Sequence, residues 1–182
     1  HKPLLNPDEL YAPLMVWRDA LAPLVADTHA FVQQALREDK TILLEGQLGS
    51  MRDPDFGIYP FTTSSHTLAG FGAVGVGGPP TSIRSVIAVT KSLPARMLIQ
   101  GATEVALTCL DVLGYLDEIK VCTAYEIDGK LTRDFPVTPL LNHAKPVYTT
   151  LPGWNCDLRG ITEWEKLPKQ AQDYVLFLEQ EL

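Results

Sequence analysis

The chain has 182 residues, 46% of them hydrophobic and 20% charged, which allows one domain with a sizeable core and excludes a disordered, collagen-like or coiled-coil chain. A formal net charge of −7 excludes a broad nucleic-acid surface, because neutralising a polyanion takes clustered Lys and Arg. Small phosphates are not excluded, since backbone N–H groups and a few local cations can hold them.

Cys109, Cys122 and Cys156 form no CxxC pair and read as buried thiols of a reducing compartment. No apolar run approaches the roughly 20 residues that cross a bilayer, and the first residues lack a signal-peptide pattern. A cytoplasmic location is expected. His1 is not a natural initiator, so residues upstream are expected to have been removed.

In chain order, residues 7–24 place Leu10, Leu14, Trp17, Leu21 and Leu24 at helical spacing, with a bend or end near Pro13 or Pro23. Asp27 and Thr28 can cap a second helix running to about Glu38, with Phe31, Val32, Ala35 and Leu36 on one face. The apolar run 41–46 ends in Gly46 and predicts a buried parallel strand before a ligand loop. Residues 47–80 are rich in Gly, Pro, Ser and Thr. So long an irregular stretch is uncommon unless it is functional.

Residues 80–91 resume helical spacing, 104–108 read as another buried strand, and 119–127 as a strand that Asp128-Gly129 turns into an antiparallel partner. A short strand at 148–151 and a helix over 168–182, with Ala171, Tyr174, Val175 and Leu178 on one face, complete the chain. No Gly/Ser linker divides it. One α/β domain is expected.

The candidate chemistry lies mostly in 47–80. Gly70-Phe71-Gly72-Ala73-Val74-Gly75 matches a dinucleotide fingerprint but lacks the preceding strand and the acidic residue that would follow it, so it reads as a glycine-rich loop. Asp53-Pro54-Asp55 could coordinate Mg²⁺, though an Asp-Pro turn is the simpler reading. Thr62-Thr63-Ser64-Ser65 offers hydroxyls and turn N–H groups suited to a phosphate, or a solvated turn. His66 follows as a possible acid or ligand of low specificity. Asp111 leaves a strand at its carboxyl end, where open α/β sheets bind ligands. It could accept from guanine N1–H and N2, or cap a short helix at 112–117.

The strings Glu45-Gly46-Gln47-Leu48-Gly49 and Asp53-Pro54-Asp55-Phe56-Gly57-Ile58-Tyr59-Pro60-Phe61-Thr62-Thr63-Ser64-Ser65 strongly resemble the adenylosuccinate synthetase family. So, in the same order, do 100–113, Lys120-Val121-Cys122-Thr123-Ala124-Tyr125 and Leu151-Pro152-Gly153-Trp154. The resemblance covers most of residues 8–180. It implies a P-loop-NTPase-like α/β fold lacking its P-loop, with a mostly parallel central sheet, flanking helices and a small antiparallel hairpin. It also implies GTP-dependent ligation of IMP and L-aspartate to adenylosuccinate, with Mg²⁺ stabilising phosphoryl charge, in a homodimer.

Residue by residue, the resemblance implies IMP binding at Gln47, Leu48 and Thr63, with Thr63 on the 5′-phosphate. Leu48 stands where the family's EGAQG string carries its glutamine, and Gln47 lies one residue earlier. It implies guanine binding at Cys109, Leu110 and Asp111, with Cys109 in place of the lysine of the family's TKLD string and hence weaker GTP binding. The catalytic residues are expected ahead of residue 1, in a GDEGKGK loop and a later histidine that also account for most of the magnesium binding. An arginine-rich aspartate-binding stretch is expected between Lys91 and Gln100, and a last guanine-contacting segment after Leu182. The chain is therefore read as one partial domain, inactive by itself, against the alternative of a non-catalytic purine-nucleotide-binding or dimerisation module.

Overall fold

The computed structural model describes residues 5–90 and 101–181. Helix α1, Pro7–Leu21, starts where the sequence places it: the Asn6 side chain accepts the Asp8 N–H at 3.1 Å, and Pro7 occupies a first-turn position that needs no donor. A 3₁₀ turn, Ala22–Leu24, ends it. Helix α2, Thr28–Arg37, is capped by Asp27, which accepts the Ala30 N–H at 2.9 Å.

Contacts gather the chain into two compact units, His1–Leu43 with Val76–Gly78, and Leu44–Gly75 with Pro79–Leu182. Within the first, Gln33 donates to the Gly77 carbonyl at 2.9 Å. Neither α1 nor α2 buries a residue, and Tyr11, Leu14, Trp17 and Leu21 are all more than half exposed.

The second unit holds helix α3 (Ala69–Val76, whose last residue belongs to the first unit), the parallel pair β1 (Ile87–Thr90) and β2 (Glu104–Leu107), and an antiparallel sheet. That sheet has the order β4-β3-β5, from β3 (Glu118–Ile127), β4 (Lys130–Thr132) and β5 (Lys145–Pro152). The Asp128-Gly129 hairpin lies where the sequence predicts it, with both residues at positive φ. One turn of helix α4 (Thr138–Leu141) precedes β5, and α5 (Lys169–Glu181) closes the described chain.

Three expectations need correction. Residues 41–46 are exposed and join no sheet among the described residues, since an apolar run becomes a strand only when a neighbour takes its N–H and C=O groups. The helix expected over 80–91 does not form in its described part, 80–90: a 3₁₀ turn, Pro80–Ser82, gives way to β1, and Lys91 lies outside the described residues. There β-branched Ile87 and Val89 follow the strand period of 2, which the helical spacing obscured. Among the described residues parallel pairing is confined to β1 and β2, and the larger sheet is antiparallel.

The core forms where β3 meets α5. Ile119 and Val121 alternate inward on β3, while Ala171, Tyr174 and Leu178 fall three and four residues apart on α5. With Trp154 and Leu158 they make one buried cluster. The Trp154 and Tyr174 rings meet edge to face at 5.8 Å, a geometry worth about 0.5–1.5 kcal/mol beyond its buried area. Gly153 donates its N–H to the Asp117 carbonyl at 2.7 Å, and a Cβ there would lie 1.8 Å from the Leu116 carbonyl oxygen, so only glycine fits.

Candidate nucleotide site

The 53–67 loop is organised by one carboxylate. Asp53 is completely buried; its Oδ1 accepts the N–H groups of Asp55 (3.0 Å) and Phe56 (3.2 Å), and its Oδ2 accepts that of Thr67 (2.9 Å). His66 Nδ1 lies 3.4 Å from the same Oδ2. Burial alone would raise the Asp53 pKa, but the donors from Thr67, Asp55, Phe56 and His66 outweigh it and hold the carboxyl below its ordinary 3.8. The Asp-Pro turn of the sequence reading is present. Its grip on Thr67, fourteen residues on, has no local signature.

Thr63 donates its N–H to the Arg52 carbonyl at 2.7 Å, so its hydroxyl is what remains for a ligand. Ser64 and Ser65 are exposed, and their N–H groups bond to no other described residue. His66 stacks flat on Phe71, with centroids 3.6 Å apart and planes within 3°. The ring is thus packed against α3, an engagement that sequence reasoning missed.

The glycine string 70–75 is helix α3, not a loop. A Cβ at Gly72 would lie 3.1 Å from Leu44 Cδ1, and one at Gly46 would lie 3.9 Å from the Thr67 carbonyl. Gly72 thus leaves room for Leu44, and the segment carrying Gln47 and Leu48 runs on past the Thr67 carbonyl at the end of the hydroxyl loop. Leu48 is exposed, in the left-handed region at φ 76°, which costs a side-chain-bearing residue energy and clusters at functional loops.

Asp53, Asp55 and His66 are the one trio among the described residues whose ligand atoms all lie within 4.8 Å of one another. They do not fit Mg²⁺, which prefers oxygen ligands and keeps several waters. Both oxygens of Asp53 are engaged by backbone donors, and the third group is an imidazole.

The second candidate segment follows β2. Thr108 sends both its N–H (2.8 Å) and its hydroxyl (3.0 Å) to the Thr90 carbonyl. Cys109 then turns the chain at φ 62°, and a 3₁₀ turn, Leu110–Leu113, replaces the expected helix at 112–117. Asp111 lies inside that turn rather than capping it. Leu110 packs against the core cluster, while Asp111 is exposed. Asp111 lines a pocket of about 320 Å³ with Gly114, Tyr115, Cys156, Asp157 and Arg159. Arg159 is held across both oxygens of Asp157, at 2.9 and 2.8 Å, and this pairing lowers the Asp157 pKa to about 2. Cys109 and Cys156 are exposed and Cys122 half-buried, which corrects the expectation of three buried thiols.

With this geometry in view, the sequence matches the family described as adenylosuccinate synthetase over residues 1–98 and 93–182. The chain belongs to that family. The two matches meet at residues 93–98, inside the stretch where the resemblance places further residues. It is 34% identical to an adenylosuccinate synthetase from Parafrankia sp. (strain EAN1pec) over 95% of this chain and 52% of that protein. It is 35% identical to one from Mycobacterium tuberculosis (strain ATCC 25618 / H37Rv) over 97% and 52%. Its fold matches the solved "Structure of fully ligated Adenylosuccinate synthetase from Plasmodium falciparum" with a TM-score of 0.88 and 23% identity, over 98% of this chain and 54% of that one. The chain spans about half the length of the curated relatives it matches. Among the described residues no helix is long and apolar enough to cross a membrane.

Proposed function

We propose that this chain is the nucleotide-holding half of an enzyme that ligates IMP and L-aspartate to adenylosuccinate at the expense of GTP. The observation that carries the reading is the hydroxyl and N–H array of half-buried Thr63 and exposed Ser64 and Ser65, braced from Asp53 and lying beside the segment of Gln47 and Leu48. Such an array suits a phosphate dianion. Thr63 binds the 5′-phosphate of IMP, and Gln47 and Leu48 border its base.

Asp111 accepts from guanine N1–H and N2, a pattern that adenine cannot present. Leu110 fixes the turn from the core side, and Cys109 leaves one side of the base uncovered. The catalytic step belongs to groups outside this chain. Mg²⁺ neutralises charge on the transferring phosphoryl group in such reactions, and the Asp53, Asp55 and His66 trio does not fit it. The same reading makes the chain one partial domain of a cytoplasmic homodimer.

The test is product formation. The natural full-length protein supplied with IMP, GTP, L-aspartate and Mg²⁺ forms adenylosuccinate, and the 182-residue chain in the same assay does not. No product from the full-length protein at micromolar concentration overturns the reading. The departures at Leu48 and Cys109 favour a second reading, a non-catalytic purine-nucleotide module. Micromolar binding of IMP or GTP by the isolated chain, with no turnover by the full-length protein, would select it.

A further inference from the structure

Several hydrogen bonds tie the 53–67 loop, among them Ile58 N–H to the Met51 carbonyl and the Thr138 hydroxyl to the Tyr59 carbonyl, and Asp53 joins its two ends. Its Oδ1 fixes the entry turn through the Asp55 and Phe56 N–H groups, and its Oδ2 fixes the exit through the Thr67 N–H. Between them the Arg52 carbonyl holds the Thr63 N–H. A polar loop left to itself samples many conformations, and each one lost on binding costs affinity. A buried carboxylate with every lone-pair direction in use removes that freedom in advance.

We propose that Asp53 is the positioning residue of a phosphate-receiving loop, holding the Thr63 hydroxyl and the Ser64 and Ser65 N–H groups ready for one phosphate dianion without touching it. This deepens, and rests on, the reading of Thr63 as the 5′-phosphate contact. Asp53→Asn tests it at one end of the loop. The amide oxygen can still accept from Asp55 and Phe56, while the amide nitrogen sets a donor against the Thr67 N–H. Thr67→Pro makes the complementary cut, removing the donor and leaving the carboxylate.

Calorimetric titration of the natural full-length protein with IMP, inosine and GDP reads the outcome, alongside amide hydrogen exchange. Wild type prefers IMP to inosine. Asp53→Asn loses that preference on the order of tenfold, the cost of one charge-assisted hydrogen bond, and exposes the Thr67 amide. GDP affinity and the protection of α5 stay unchanged, which a general loss of fold would not allow. Should Asp53→Asn lose α5 protection, Thr67→Pro reads the same quantity. An unchanged IMP preference in a variant whose exit end is released overturns the positioning role alone. A wild type that does not distinguish IMP from inosine overturns the phosphate reading, and the positioning role with it.

Discussion

The two candidate segments are held in place by opposite kinds of force. The 53–67 loop hangs on a single buried carboxylate and its backbone donors, whereas the Asp111 turn rests on Leu110, Leu113 and Leu116 packed against the Trp154–Tyr174 cluster. A polar anchor is directional and depends on one atom's protonation. An apolar anchor depends on volume and is indifferent to pH over the range where proteins stay folded. The two should therefore fail under different perturbations.

The largest expected effect breaks the apolar anchor. Tyr174→Ala removes a fully buried aromatic ring and should cost about 3–5 kcal/mol in urea unfolding, with GDP binding lost at Asp111. If the amides at 63 and 67 lose protection in step, the two anchorages are one cooperative unit and the contrast fails.

Asp53→Ala breaks the polar anchor and strands the N–H groups it had satisfied, at about 1–3 kcal/mol. Acid should do the same reversibly. The folded-state pKa of Asp53 is lowered, so its contribution is complete above the ordinary 3.8 and is lost as pH falls below that through the lowered value. The protection factor of the Thr67 amide, taken against the intrinsic rate at each pH, should therefore fall with acid in wild type and stay flat in Asp53→Asn, while that of α5 follows neither.

Smaller effects sharpen the contrast at the guanine segment. Cys109→Lys puts the family's long stem back beside the base and should tighten GDP binding several-fold in the same calorimetry, with IMP binding unmoved. Asp157→Asn removes an exposed partner of Arg159 and should leave the melting temperature unchanged, because exposed ion pairs add little.

How much of this was legible in the sequence divides along the same line. Both N-terminal helices, the Asp128-Gly129 hairpin and α5 follow from caps, turn residues and periodicity, all of which act within a few residues. Residues 41–46 and 80–91 misled because a strand is defined by its neighbour, and the neighbour is not written beside it. The hydroxyl loop and Asp111 stood out by residue type and by family resemblance. Asp53 was legible only as part of an Asp-Pro turn or a candidate Mg²⁺ pair; its bond to Thr67 was not, because it spans fourteen residues, and neither was the stacking of His66 on Phe71. The glycine string matched a dinucleotide fingerprint, failed its context and was read as a glycine-rich loop. In the folded chain it is a helix whose small residues admit Leu44.

Gly153 offers a different vantage, that of mutational tolerance. Every codon change that alters this residue adds at least a Cβ, and that atom has nowhere to go against the Leu116 carbonyl. In a saturation library selected for folding, position 153 should thus be emptied of all nineteen alternatives, while Thr150, an exposed residue of β5, keeps many. A depletion profile read along 150–160 would mark the weld between β5 and the Asp111 turn without any ligand being present.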